Sequence, residues 1–505
     1  MFYVWLKYCN GGGYNLIDIK NVNFAYEKSD SSKNCLKNIN LTIEKGEFVV
    51  LCGKSGCGKT SITRLINGLI PHFHEGILTG EVTVNGNNIC NSSLSQISRL
   101  VGSVFQNPRS QFFNVDTTSE LAFGCENLAM PVNDIIERVS KSTEVFKLHN
   151  LINRSIFELS GGEKQRIACA SVYATLPEVF LLDEPSSNLD SVSIENLKDV
   201  LKILKDMGKT IIISEHRLYY LRDLANRFIY MENGSIYGEY SRKEMSELCS
   251  EDLAKKGLRT LNLNHISKKA CENKAQNINF NFEKVICRRG KKDVLNISKL
   301  QIPKGEIVGI IGKNGAGKST FVSCFSGVLK HKGKIFFDGK ECKGKSRLLR
   351  SYMVMQDVNH QLFCESVKEE LELNVTEDRK VNISKILEEM NLQKYKDVHP
   401  LSLSGGEKQR VAIGSAICSG KELLFYDEPT SGLDFTGMNI TCSMIKQANE
   451  KALLSMVITH DLEFLLRCCT SVLHIEDGVV KEYYSLEEAA SIAKVKKYFI
   501  LKEEI

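Results

Sequence analysis

Phe48-Val49-Val50-Leu51-Cys52-Gly53-Lys54-Ser55-Gly56-Cys57-Gly58-Lys59-Thr60 decides the fold. Its first five residues are a continuous apolar run, the pattern of a strand buried on both faces. A glycine-rich loop follows, and Ser61-Ile62-Thr63-Arg64-Leu65-Ile66 then opens a helical pattern. Strand, loop and helix are the context that GxxxxGK[ST] requires. Glycines let backbone N–H groups close around phosphate oxygens, and the helix N-terminus adds roughly half a positive charge. The stretch recurs. Ile307-Val308-Gly309-Ile310-Ile311 leads into Gly312-Lys313-Asn314-Gly315-Ala316-Gly317-Lys318-Ser319. Lys59 and Lys318 are expected to reach the β- and γ-phosphates of a nucleotide, and Thr60 and Ser319 to give a hydroxyl to Mg²⁺.

The rest of the chain repeats as well. Leu159-Ser160-Gly161-Gly162-Glu163-Lys164-Gln165-Arg166 returns unchanged as Leu403 to Arg410, 244 positions later. Asp183-Glu184-Pro185 returns as Asp427-Glu428-Pro429, and His216 as His460, at the same offset. The phosphate loops are 259 apart, and Gln106 and Gln356 are 250 apart. The second half is therefore a copy of the first, with net deletions between its phosphate loop and its LSGGEKQR block, where surface loops tolerate them best. The expected organisation is an extension over 1–14, a first domain over 15–248, a linker over 249–276 and a second domain over 277–498. The linker reads as polar, with Lys255, Lys256, Arg259, Lys268, Lys269 and Lys274 making it a solvated tether.

Length and composition agree. The 505 residues suit more than one core, and 42% hydrophobic with 25% charged residues is ordinary for a globular chain. A net charge of +5 is near balance and gives little support to broad nucleic-acid binding. No apolar run approaches the ~18 residues that span a bilayer. The 17 cysteines are scattered without CxxC spacing, which speaks against a metal finger or disulfide framework and for a reducing compartment. The N-terminus lacks the pattern of a secretory signal.

Each Asp-Glu pair ends an apolar strand, where open α/β sheets place their ligands. Asp183 and Asp427 are expected to anchor Mg²⁺. Glu184 and Glu428 are placed to polarise an attacking water. His216 and His460 each follow the next apolar run, 32 residues beyond the glutamate, as γ-phosphate sensors. Gln106 and Gln356 rest on matched placement alone. Cys57 reads as a small residue tolerated in its loop, and His72 and His74 as structural histidines.

These motifs, in this order and twice, resemble the ATP-binding subunits of ABC transporters over nearly the whole chain. The resemblance implies two P-loop NTPase domains. Each has a RecA-like, mainly parallel sheet core, an antiparallel β subdomain and a helical subdomain. ATP and Mg²⁺ are its cofactors, with Gln106 and Gln356 joining the metal site. The family works as a head-to-tail pair. One ATP would lie between Lys59 and Ser404-Gly405-Gly406, the other between Lys318 and Ser160-Gly161-Gly162. Tyr26 stands where an adenine-stacking aromatic is expected, and Arg289 takes that place in the second half.

A narrower likeness runs through Asn67-Gly68-Leu69-Ile70-Pro71-His72-Phe73-His74-Glu75-Gly76, Gln106-Asn107-Pro108-Arg109-Ser110-Gln111-Phe112-Phe113 and Ile213-Ser214-Glu215-His216-Arg217-Leu218. These look like energy-coupling-factor ATPases, with Arg109 replacing the usual acidic residue. That family drives uptake of vitamins or transition-metal ions. It works with an integral membrane coupling subunit and a separate substrate-binding membrane subunit, at the cytoplasmic face and without spanning the bilayer. Two alternatives are a soluble twin-ATPase translation factor of the ABC-F type acting on ribosomes and the tandem ATPase of a sugar importer. The first usually carries a longer charged helical insert, and the second has degraded motifs in its second copy.

Overall fold

The computed structural model describes residues 15–27, 35–268, 276–290, 292–373, 375 and 381–500, without the side chains of 276–278 and 289. The chain divides into two compact units, with the boundary along the sequence between Leu261 and Asn262, and Asn188–Val192 group with the second.

The first unit contains β1 (Asn15–Tyr26), β2 (Leu36–Glu44), β3 (Phe48–Gly53), β4 (Gly76–Val84), β5 (Asn87–Asn88), β6 (Val101–Val104), β7 (Val179–Asp183), β8 (Thr210–Ser214), β9 (Arg227–Glu232) and β10 (Ser235–Ser241). They form an antiparallel sheet in the order β2-β1-β4-β5 and a six-stranded sheet in the order β10-β9-β3-β8-β7-β6. The larger sheet is parallel except for its edge pair β9–β10. Its centre is β3, every residue of which is buried, as the unbroken apolar run requires. Leu51 pairs with Ser214, and Asp183 pairs with Ser214 from the other side. That register brings the phosphate loop, the Asp-Glu pair and the segment of His216 to one edge of the sheet.

Three helices form the helical region. Thr117–Asn127 packs on Gly161–Ala174, with Val132–Val145 beside both. Asp116 starts the first by accepting hydrogen bonds from the N–H groups of Thr118 and Ser119.

The second unit repeats this plan with β11 (Gln276–Arg289), β12 (Lys292–Lys304), β13 (Ile307–Ile311), β14 (Lys332–Phe337), β15 (Lys340–Glu341), β16 (Ser351–Val354), β17 (Leu423–Asp427), β18 (Leu454–Ile458), β19 (Ser471–Glu476) and β20 (Val479–Ser485). Their orders are β12-β11-β14-β15 and β16-β17-β18-β13-β19-β20, the same two arrangements. The offset between the copies shrinks for visible reasons. β14 has 6 residues where β4 has 9, and the helix Ile383–Glu389 has 7 where Val132–Val145 has 14.

The stretch read as a solvated tether is partly folded. A helix spans Ser250–Lys255, and Leu253, Leu258, Arg259, Leu261 and Ile266 are buried. Its lysines conceal a leucine spacing too sparse to register as periodicity. Lys256 lies over the rings of Tyr230 and Tyr240, at 4.8 and 5.4 Å, and its carbonyl accepts from the Tyr230 hydroxyl at 3.2 Å. Gly257, with φ of 70°, sits so close to Lys54 that a Cβ there would meet Lys54 Cγ at 2.6 Å. The extension over 1–14 lies outside the described residues.

Candidate functional site

Both phosphate loops are closed by their own lysine. Lys59 Nζ donates to the carbonyls of Gly53 and Lys54 at 3.1 and 3.2 Å. Lys318 Nζ donates to Gly312 and Lys313 at 2.8 and 3.0 Å. Each ammonium is thus held inside the curl of its loop, where phosphate oxygens would be received. Burial lowers the Lys318 pKa from its ordinary value, against the pull of Glu428, Asp190 and Asp427.

The first glycine of each loop is required by its neighbours. Gly53 and Gly312 have φ of 149° and 152°, and a Cβ would fall 2.3 Å from Met231 O and 2.2 Å from Ile475 O. Those carbonyls belong to β9 and β19 and cannot give way without breaking the sheet. Gly53→Ala is therefore expected to destabilise the first unit by about 1–3 kcal/mol. A lowered thermal unfolding midpoint, with weakened ATP binding, would register it. Cys57 is buried in the loop, with Sγ 3.9 Å from Lys59 Nζ.

Behind each loop a hydroxyl meets an aspartate. Thr60 Oγ1 donates to Asp183 Oδ1 at 3.3 Å, and Ser319 Oγ to Asp427 Oδ2 at 3.2 Å. Ser214 Oγ also donates to Asp183. Burial raises both aspartates above the ordinary 3.8. A hydroxyl and a carboxylate in contact are hard oxygen donors in small number. This suits Mg²⁺, which takes one or two protein oxygens and completes its shell with water and phosphate.

The glutamates take unusual backbone positions. Glu184 and Glu428 have φ of 43° and 49°, in the left-handed region that non-glycine residues seldom enter. Their N–H groups donate to Ser214 O and Ile458 O at 2.9 and 3.0 Å, which fixes the turn. In the first unit, Gln106 Nε2 donates to Glu184 Oε2 at 2.7 Å, and His216 Nε2 lies 3.2 Å from Glu184 Oε1. Burial alone would raise the Glu184 pKa, but His216 and Lys59 hold it below 4.5. The carboxylate is thus kept ionised in a nearly dry setting.

In the second unit, His460 Nε2 lies 3.5 Å from Glu428 Oε1 and 3.1 Å from Asn314 Oδ1. Gln356 Nε2 donates to Asn188 Oδ1 at 3.3 Å, and Asn314 N–H to Asp190 Oδ2 at 2.9 Å. A cavity of about 310 Å³ lies here, lined by Lys318, Ser319, Gln356, Asp427, Glu428 and His460. Such a volume suits a small polar ligand.

The signature serines stand apart within their own units. Ser160 and Ser404 are exposed N-caps of the helices Gly161–Ala174 and Gly405–Ser419. Each is closed by a capping box, with Glu163 and Glu407 accepting from the serine N–H at 2.8 and 2.9 Å. Burial would raise these carboxyls, yet the bonds from Ser160 and Ser404 hold both below 4.5. A depressed carboxylate stabilises above its unfolded pKa and loses that contribution as pH falls through the folded value. Glu163→Gln should therefore lower the melting temperature at neutral pH, and the gap to the parent should close on acidification well below pH 4.5.

Tyr26 is reached by Arg64 NH1 at 3.1 Å and lies 3.2 Å from Ser61 Oγ, beside the loop helix. The Arg289 side chain lies outside the described residues. His72 Nε2 contacts Ile89 O at 2.9 Å, and His74 packs edge-on against Tyr26 and Phe73. Among the described residues no group of three or more His, Cys, Asp or Glu could hold a metal ion. Sequence reasoning missed Ser214, and it missed the side chains that carry the His216 segment. The signal for Ser214 was its place at the end of β8, level with Asp183.

The family model for ABC transporters matches residues 36–187 and 295–431. A putative ABC transporter ATP-binding protein of Treponema denticola is 45% identical over 92% of this chain and 97% of its own length. The chain belongs to the ABC transporter family, among its ATP-binding proteins. A second such relative, from Sulfurisphaera tokodaii, is 32% identical over 92% of this chain and 97% of its own. The complex of the archaeal ribosomal stalk protein aP1 and the archaeal ribosome recycling factor aABCE1 shares the fold, with a TM-score of 0.64. Its identity is 20%, over 95% of this chain and 92% of that one. The ABC transporter ATP-binding chain is an ATPase, with ATP and Mg²⁺ as its cofactors.

Proposed function

We propose that this chain is the ATP-hydrolysing subunit of an energy-coupling-factor uptake transporter for a vitamin or a transition-metal ion. It docks at the cytoplasmic face on an integral membrane coupling subunit, which works beside a separate substrate-binding membrane subunit. The observation that carries this reading is a matched pair of exposed apolar surfaces. In the first unit Phe105, which precedes Gln106, and Phe113 and Phe157 are exposed, and in the second Met355, which precedes Gln356, and Phe363 and Leu401 are exposed. Phe113 and Phe363 are each 75% exposed. Apolar side chains displayed at equivalent places in both copies suit a partner's helices. None of the six carries the positive charge that RNA phosphates recruit. Among the described residues no helix is long and apolar enough to cross a membrane.

Within each half, the loop lysine and the backbone N–H groups bind the ATP phosphates. Thr60 with Asp183, and Ser319 with Asp427, would hold Mg²⁺, which would supply neutralising charge to the phosphate oxygens. Glu184 or Glu428 accepts a proton from water as its oxygen bonds to the γ-phosphorus. The bond to the bridging oxygen breaks, and ADP and phosphate leave. His216 and His460 orient the glutamate and register the γ-phosphate. In this reading the signature serine of one half completes the site of the other, and the two intact LSGGEKQR blocks support it.

A membrane-fraction pull-down with the tagged chain should retain integral membrane proteins, and Phe113→Ser with Phe363→Ser should release them while ATP binding persists. Co-sedimentation with ribosomes instead would overturn the reading. Crosslinking in the ATP-loaded state should place Lys59 beside Ser404. A crosslink to Ser160 instead would overturn the pairing.

A further inference from the structure

The residue before His216 is a glutamate that the hydrolysis just described does not use. Glu215 is 2% exposed, and each of its oxygens has two donors. Oε1 accepts from Ser186 N–H at 3.2 Å and from the Tyr220 hydroxyl at 2.7 Å. Oε2 accepts from His216 N–H at 2.7 Å and Arg217 N–H at 3.3 Å. Arg217 NH1 adds a bond to Ser186 O at 3.4 Å. The carboxylate thus ties the backbone just after Glu184-Pro185 to the backbone of the histidine. A buried carboxylate filled by four donors is a strong fixed point.

The second unit joins the same two segments differently. At the equivalent positions, 244 residues on, Ser186 becomes Thr430, Glu215 becomes Thr459, Arg217 becomes Asp461 and Tyr220 becomes Phe464. The carboxylate has moved from before the histidine to after it. Asp461 Oδ2 accepts from Thr430 Oγ1 at 3.4 Å, Asp461 Oδ1 accepts from Phe464 N–H at 3.1 Å, and Asp461 N–H donates to Thr459 Oγ1 at 3.1 Å. The phenol that completes the first arrangement is absent where the carboxylate no longer calls for it. Four positions therefore differ as a set.

We infer that Glu215, completed by Tyr220, is a positioning residue for hydrolysis in the first unit, holding Glu184 and His216 in working register through the backbone, and that the second unit does this with Asp461 and Thr430. The inference rests on the reading of Glu184 as the base. Burial and the neighbouring Glu215 hold the Tyr220 hydroxyl protonated far above the usual tyrosine range, so it donates at every working pH.

The test compares the full chain with Glu184→Gln, Glu215→Gln, Tyr220→Phe and the exchange Ser186→Thr/Glu215→Thr/Arg217→Asp/Tyr220→Phe. The readouts are kcat for ATP and the Kd of a fluorescent ATP analogue. Glu215→Gln should lose at least half of the turnover that Glu184→Gln loses, with Kd unchanged within about twofold, and Tyr220→Phe should lose a smaller part. The exchange, which supplies the other unit's solution, should return kcat to within about threefold of the parent. A Glu215→Gln chain that folds and keeps full turnover while Glu184→Gln does not would overturn this inference alone. Full turnover in Glu184→Gln would remove the reading beneath it. Should Glu215→Gln fail to bind ATP, Tyr220→Phe and the exchange decide. Parental kcat in Tyr220→Phe, or a folded exchange that binds ATP without turnover, would overturn it.

Discussion

Glu184→Gln combined with Glu428→Gln is expected to lower ATP turnover by about 10²–10⁴-fold, the usual worth of a positioned general base. ATP binding should survive, because neither carboxylate holds a phosphate. The geometry explains why so small a change would cost so much. Glu184 is nearly buried, touches both Gln106 and His216, and keeps its charge against burial because His216 and Lys59 stand close. An amide of the same shape keeps the packing and leaves the bond donated by the backbone N–H to Ser214 O or Ile458 O in place, yet it cannot take the proton. Phosphate release by each single variant and the double, read beside nucleotide binding, separates the chemistry from the fold. A double variant with parental turnover would show that neither glutamate takes the proton.

Lys59→Ala is expected to weaken ATP binding at the first site by about 2–5 kcal/mol, tens to thousands of fold, as loss of a buried charge from its partner usually does. Lys59 is 4% exposed, and its ammonium already gathers the carbonyls of Gly53 and Lys54. Removing it therefore opens the loop and also removes the charge that meets the phosphates. Titration calorimetry with Lys59→Ala and Lys318→Ala should show one tight site lost in each. Two unaltered sites in either variant would contradict the assignment of that loop.

Much of this was legible in the sequence because the chemistry is local. Eight residues of a phosphate loop carry their own conformation, and an apolar run that ends in Asp-Glu carries its own place in the sheet. Matched offsets did the rest, since one reading served twice. What escaped was held together by contacts distant along the chain. The Glu215 carboxylate means nothing until Ser186 and Tyr220 arrive from the end of β7 and the turn after β8. The left-handed backbone at Glu184 and Glu428 is invisible in residue types that ordinarily avoid it. The helix Ser250–Lys255 was hidden because the neighbouring Lys256 reads as a solvated charge, whereas its ammonium lies over the rings of Tyr230 and Tyr240.

Gly257 has no side chain because none would fit against Lys54. The polypeptide departing from the first unit therefore leans on the second residue of the glycine-rich loop proposed to grip phosphate, and Lys256 is pinned there against two tyrosines. A bulkier residue at 257 would act as a wedge under that grip, detuning nucleotide affinity from a spot two hundred residues downstream of it.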